Sequence, residues 1–88
     1  MRRFLLIIIK INIMLQEIRK KIENIKSIED KMTIEAEIEV LDGVVGININ
    51  ESNGNCYIKF DADKISFSNI AEKINQLGFT VTEELSMS

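Results

Sequence analysis

Apolar residues recur at every second position in two stretches of the chain, which is the period of a strand with one buried face. The two stretches are Val45, Ile47 and Ile49, then Cys56, Ile58 and Phe60. Glu51-Ser52-Asn53-Gly54 lies between them and is typical of a turn, because Asn53 and Gly54 tolerate positive φ. The pattern therefore predicts a β-hairpin.

Spacings of three and four residues between apolar positions predict two amphipathic helices. The first has Ile34, Ile38 and Leu41 on one face and ends near Gly43; the second has Phe67, Ile70, Ala71, Ile74 and Leu77 and ends at Gly78. Ser27 and Ser66 precede these helices as N-cap residues do. Asp30 follows Ser27 at the spacing of a capping box, so we expect the hydroxyl and the carboxylate to accept from free amides of the first turn.

Weaker alternation at Ile18 and Ile22, and again at Phe79 and Val81, predicts a first and a last strand. The order strand, helix, strand, strand, helix, strand is that of the ferredoxin-like α+β fold, a βαββαβ sandwich. Two helices then cover one face of a four-stranded antiparallel sheet. The predicted core consists of Ile22, Ile34, Ile38, Leu41, Val45, Ile47, Ile49, Cys56, Ile58, Ile70, Ile74 and Leu77.

The predicted chain organisation is an apolar extension at residues 1–15, one domain at residues 16–83 and a tail at residues 84–88. The extension begins like a secretion signal, but Lys10 interrupts its apolar run and no small-residue cleavage site follows. The run from Phe4 to Leu15 is also shorter than the roughly 20 residues of a membrane span, so we expect none. Two interpretations of the extension remain. Either translation starts at Met14, or the extension forms an added edge strand or an apolar helix.

The residue types present narrow the possible chemistry. The chain has 88 residues, no His and one Cys, and its length fits one small domain. His-based catalytic dyads, a two-cysteine metal clasp and an internal disulfide are therefore excluded. No arginine lies in a glycine-rich loop before the first helix, so we expect no enzyme of the acylphosphatase type, and no enzyme at all. Scarce cysteine fits a reducing compartment, and we expect a cytoplasmic protein.

Charge is divided unevenly along the chain, whose formal net charge is −3. Residues 1–26 have seven basic and two acidic residues, or +5, whereas residues 27–88 have four basic and twelve acidic residues, or −8. Nucleic-acid binding requires a clustered positive surface, which the acidic body lacks. We therefore expect a basic protein partner and no nucleic acid.

Several matched segments resemble the heavy-metal-associated domain family, which includes copper chaperones and the amino-terminal modules of metal-pumping ATPases. Asp42-Gly43-Val44 resembles the Pro-Gly-Val that follows the family's first helix, and Gly54 lies in the hairpin turn. The segment from Phe60 to Ser66, FDADKIS, is similar to the family's Tyr-Asp-Pro-x-x-Val-Ser. Ile70 to Phe79 resembles its Ile-x-x-x-Ile-x-x-x-Gly-Tyr ending. Residues 24–79 align without a gap, and the joint spacing of the segments is fairly specific.

The resemblance implies a metal ion, Cu(I) or Zn²⁺, bound by the family's Gly-Met-x-Cys-x-x-Cys loop. That loop aligns with residues 24–30, where Ser27 and Asp30 replace both cysteines. A hydroxyl and a carboxylate are hard ligands that suit Mg²⁺ or Ca²⁺ and need further donors. Two interpretations remain: Ser27 and Asp30 cap the first helix, or with Glu29 they form a weak hard-metal site.

The lone cysteine is a third candidate ligand. The alternation of its strand places Cys56 on the face of Ile58 and Phe60, where it is expected to pack as a small hydrophobe. A metal ligand shared across a homodimer, or a redox-sensitive thiol, would require an exposed Cys56 with a lowered pKa. Met32 is expected to pack in the core rather than bind metal.

The predicted outer face of the first helix is acidic, with Glu35, Glu37, Glu39 and Asp42. Docking in the family is largely electrostatic, and an acidic face resembles the pump-side module. The resemblance thus implies a metal-transporting ATPase or another basic protein as partner; the alternative is a solvated face. Two functional hypotheses follow. The first is a degenerate metal carrier or accessory module that lacks its thiolate site. The second is a metal-independent interaction or regulatory module on the same fold, and this module would form a homodimer or a hetero-complex.

Overall fold

The structure, a computed structural model, describes residues 14–82. Its elements are strand β1 (Leu15–Glu23), helix α1 (Ile28–Glu39), strands β2 (Val44–Ile49) and β3 (Asn55–Asp61), helix α2 (Phe67–Gln76) and strand β4 (Thr80–Thr82). The predicted extension lies outside the described residues except for Met14 and Leu15, and the predicted tail lies outside them entirely. Their assignment as separate segments stays a prediction.

The four strands form one sheet in the order β2-β3-β1-β4, with every neighbouring pair antiparallel. The two central strands pair over seven positions, from Leu15 opposite Asp61 to Lys21 opposite Asn55. This arrangement with two helices confirms the predicted ferredoxin-like fold. In the described part of the chain, no helix is long and apolar enough to cross a membrane.

Serine caps begin both helices, as predicted. Ser66 Oγ accepts from the Asn69 amide over 3.2 Å, and Asn69 completes a capping box. The first helix ends at Glu39 with Val40 as its C-cap, before the predicted end near Gly43. Leu41 therefore lies in the turn that follows, where it still packs against the core.

The core lies between the sheet and the helices. Its fully buried residues are Ile22, Ile34, Ile38, Ile49, Cys56, Ile58, Phe60, Ile70 and Ile74. All but Phe60 belong to the predicted core. Leu41, Ile47 and Leu77 are only partly buried.

Two predicted burials are wrong. Val45 is 58% exposed, because the β2–β3 register shifts between Val44 and Gly46. A bulge inserts one residue into a strand and reverses the facing of the alternation beyond it. Met32 is 60% exposed, because the buried face of α1 is defined by Ile34 and Ile38.

The hairpin turn between β2 and β3 lies between Ile49 and Asn55 and includes the predicted turn residues 51–54. The Gly54 amide donates to Asn50 O over 2.7 Å, and the Asn50 amide donates to Asn55 O over 2.9 Å. Within this turn only Gly54 takes positive φ, at +79°, and a Cβ atom there would collide with the carbonyl oxygen of Ile22. Glycine is thus required both by its conformation and by the approach of β1.

Candidate functional site

The candidate site is the loop that joins β1 to α1. Asn24 follows β1 with φ of +75°, a left-handed conformation that asparagine tolerates better than most residues. The chain then returns toward the sheet, and Ile25 packs against the core. This turn fixes the direction in which Ser27 starts the helix.

Ser27 and Asp30 are both engaged by the backbone of this loop. Ser27 Oγ accepts from the Asp30 amide over 3.2 Å, and Asp30 Oδ2 accepts from the Lys26 amide over 2.9 Å. The carboxylate therefore satisfies the residue before the cap, one position earlier than a standard capping box. The capping interpretation accounts for both side chains, and their role as metal ligands stays a prediction.

Cys56 lies away from this loop, on the core face of β3. Its register partners are Lys20 on β1 and Ile49 on β2, and it is only 3% exposed. Burial, and to a smaller extent the charge of Glu35, raise the pKa of Cys56 to about 12. The thiol is therefore protonated at neutral pH, whereas metal ligation and nucleophilic attack use the thiolate.

The structure brings two of the three candidate ligands together and leaves the third apart. Ser27 and Asp30 lie at the start of α1, and Cys56 lies inside the sandwich. Among residues 14–82, no group of three or more His, Cys, Asp and Glu side chains could hold a metal ion. The geometry therefore supports helix capping by Ser27 and Asp30 and core packing by Cys56.

The predicted acidic face of α1 is only partly a solvated surface. Glu35 Oε2 accepts from the Ile49 amide of β2 over 2.9 Å and from Lys31 Nζ over 2.8 Å. Glu35 therefore turns toward the sheet edge and is half-buried. Glu37 lies 3.5 Å from Lys73 Nζ of α2, so its charge is partly compensated.

An apolar pair beside the loop was missed by sequence reasoning. Ile28 is 52% exposed and Met32 is 60% exposed, one helical turn apart at the start of α1. The sequence signal was their spacing of four residues, which places them on a different helical face from Ile34 and Ile38. We call Ile28 and Met32 the apolar pair.

Comparison with known proteins identifies the family. No family model matches the chain. The copper chaperone CopZ of Bacillus subtilis (strain 168) is 36% identical over 50 residues, which are 57% of this chain and 72% of CopZ. The chain belongs to the heavy-metal-associated domain family. Its members of the copper-chaperone kind are not enzymes, in agreement with the expectation from the residue types.

Solved structures of heavy-metal-associated domains share the fold. A CopZ metallochaperone structure has a TM-score of 0.73 and 22% identity, covering 76% of this chain and 100% of that one. The water-soluble region of the P-type ATPase CopA from Bacillus subtilis has a TM-score of 0.72 and 24% identity, covering 76% of this chain and 44% of that region. This chain departs from the Cys-x-x-Cys loop of the family, since its only cysteine is Cys56.

Proposed function

We propose that this heavy-metal-associated domain works in a metal-handling system as an accessory module that docks to a partner and does not carry Cu(I) on paired thiolates. One observation carries the proposal: the loop positions hold Ser27 and Asp30, both hydrogen-bonded as helix caps. The scarcity of cysteine supports a reducing, cytoplasmic setting for this module.

The chemistry of the loop supports the loss of the soft-metal site. Cu(I) is a soft ion that selects thiolate and thioether ligands, whereas hydroxyl and carboxylate oxygens suit hard ions. The buried thiol of Cys56 does not replace the missing pair, because its raised pKa keeps it protonated. A soft ion such as Cu(I) is therefore expected to bind this loop only weakly.

Docking is supported by the surface around the same loop. The apolar pair, Ile28 and Met32, is exposed beside the candidate site, and Met is frequent on adaptable binding surfaces. Glu29 is exposed nearby and adds negative charge. The likeness to a copper chaperone and to a P-type ATPase region supports a metal-transporting ATPase, or another basic protein, as the partner.

A competition titration of the reduced protein with Cu(I) and Zn²⁺ tests the loss of the clasp. The parent chain is expected to bind either metal weakly, and the double variant Ser27→Cys, Asp30→Cys is expected to bind Cu(I) tightly. The variant Cys56→Ala is the matched control and should behave like the parent. Tight binding by the parent that disappears in Cys56→Ala would overturn the proposal.

The docking half of the proposal is tested with the water-soluble region of a copper ATPase as the probe. Heteronuclear NMR titration should shift the amides of residues 25–32 in the parent chain, with and without metal. The variant Met32→Ser should reduce these shifts, whereas Val40→Ser, which changes an even more exposed apolar residue at the other end of α1, should not. Shifts that require added Cu(I) would favour a metal-carrying role instead.

A further inference from the structure

Strand β1 is longer than its neighbour β4. It runs over Leu15–Glu23, but β4 pairs only with Lys21, Ile22 and Glu23. Within residues 14–82, no other strand lies on this side of β1. Among the described strands, the first part of β1 is therefore paired only with β3.

Two hydrogen bonds reveal which backbone groups of β1 point away from β3. The Ile22 amide donates to Gly54 O over 2.8 Å, and Met14 O accepts from the Ala62 amide over 2.8 Å. Hydrogen-bonded pairs alternate along an antiparallel ladder, so the even-numbered residues of β1 bond to β3 and the odd-numbered ones point away. Lys21 and Glu23 pair with β4, so the remaining residues whose backbone N–H and C=O groups point away from β3 are Leu15, Glu17 and Arg19. We call the side of β1 that they form the β1 edge.

The opposite edge of the sheet is protected by structural devices, whereas within residues 14–82 the β1 edge has neither a bulge nor a covering strand. On β2, the bulge between Val44 and Gly46 disrupts the strand, and Glu35 accepts from the outward amide of Ile49. Bulges, prolines, charged side chains and covering groups are the usual devices that prevent strand edges from pairing. The β1 edge contains no proline, and its register with β3 is regular over seven positions.

The charges of the β1 edge are complementary to themselves. An antiparallel pair of β1 edges centred on Ile18 places Glu17 of each copy opposite Arg19 of the other. Opposite charges in cross-strand positions stabilise a ladder, and like charges destabilise it. A register centred on Glu17 would oppose two carboxylates, so charge selects the register centred on Ile18.

We propose that two copies of this chain associate through the β1 edge in the register centred on Ile18, which joins their sheets into one. The backbone groups of Glu17 and Arg19 both point outward. In a dimer with two-fold symmetry, Glu17 of each copy therefore forms a hydrogen-bonded pair with Arg19 of the other. Because β4 pairs with Lys21, the new ladder is limited to residues 16–20. A contact this short belongs to the weak, transient class of interfaces.

Sedimentation equilibrium of the full chain from about 10 μM to about 1 mM tests this association, since weak interfaces require high concentration. The parent is expected to dimerise with rising concentration. Glu17→Arg opposes two pairs of arginines, and Arg19→Glu opposes two pairs of carboxylates. Each single variant should therefore dimerise about tenfold more weakly or worse.

An equimolar mixture of the two single variants is the decisive sample. In the mixed dimer both cross-strand pairs are again oppositely charged, so dimerisation should return to the parent level. Glu39→Arg and Lys64→Glu make the same charge changes at exposed positions away from the edge and should leave dimerisation unchanged. Circular dichroism melting of each variant separates lost association from lost folding.

Amide exchange supplies a second readout that does not depend on the variants. The amides of Glu17 and Arg19 should become more protected as the parent concentration rises. A parent that stays monomeric to about 1 mM would overturn the proposal, whatever covers the edge instead. Undiminished dimerisation of both single variants, or no recovery in their mixture, would overturn it as well.

Discussion

The environment of Cys56 determines how its thiol ionises. It is 3% exposed, and burial is the larger cause of its raised pKa of about 12. The charge of Glu35 contributes in the same direction. The sole cysteine of this chain is therefore a core residue and does not occupy either cysteine position of the family's loop.

Stability should fall at alkaline pH because of this thiol. Its pKa is raised in the folded state, so the folded protein retains the proton between about pH 9 and about pH 12, where the unfolded chain loses it. This contribution is complete below pH 9 and is lost as the pH rises through that range. Between pH 8 and pH 10 the free energy of unfolding should fall by about 1 kcal/mol more in the parent than in Cys56→Ala. Urea denaturation at each pH measures the difference, and equal slopes would contradict it.

Gly54 is a second residue whose identity is required by its surroundings. Substitution with alanine combines the unfavourable positive φ with the collision against Ile22 O, so Gly54→Ala should cost about 2 kcal/mol or more. Gly46→Ala is the matched control, since no heavy atom lies within 4 Å of a Cβ built there. Chemical denaturation of both variants checks the prediction, and similar losses would contradict it.

Helix α1 protects the edge strand that lies beside it. Glu35 Oε2 accepts from the Ile49 amide, which points away from β3. One carboxylate thus provides the acceptor that a fifth strand would otherwise supply. The same oxygen binds Lys31 Nζ, which holds the side chain in place.

Removing this acceptor should loosen the end of β2. Glu35→Ala is expected to cost about 1 to 2 kcal/mol and to accelerate exchange of the Ile49 amide, because a charge-assisted hydrogen bond is lost. Glu37→Ala removes only the surface contact with Lys73 and should cost less than about 0.5 kcal/mol. Equal exchange rates at Ile49 in the two variants would argue against a protective role for Glu35.

The stability of the whole molecule depends on contacts between both helices and the sheet. Ile38 on α1 and Ile74 on α2 are each 0% exposed, and both belong to the single core cluster. Ile38→Ala or Ile74→Ala should therefore cost about 2 to 5 kcal/mol. Val45→Ala, at a position 58% exposed, should change stability by less than about 0.5 kcal/mol. Denaturation midpoints measure all three, and a loss under about 0.5 kcal/mol at either isoleucine would exclude this core.

Local periodicity was sufficient to predict most of the fold. The order of the six elements, the caps at Ser27 and Ser66, and the core face of β3 all depend on residues close together in the chain. The resemblance to the heavy-metal-associated family and the replacement of its cysteine pair were equally readable from spacing. These features are local because helix and strand periods are set by neighbouring residues.

Features that depend on strand register and on contacts between distant residues were visible only in the folded molecule. The bulge that exposes Val45, the turn of Glu35 toward Ile49 and the short pairing of β4 with β1 each join segments far apart in sequence. No periodicity within one segment encodes such pairings, because they arise where two elements meet. Patterns along the chain were therefore enough to indicate the family and the replacement of its cysteine pair, whereas the assembled sheet established which surfaces of residues 14–82 are exposed.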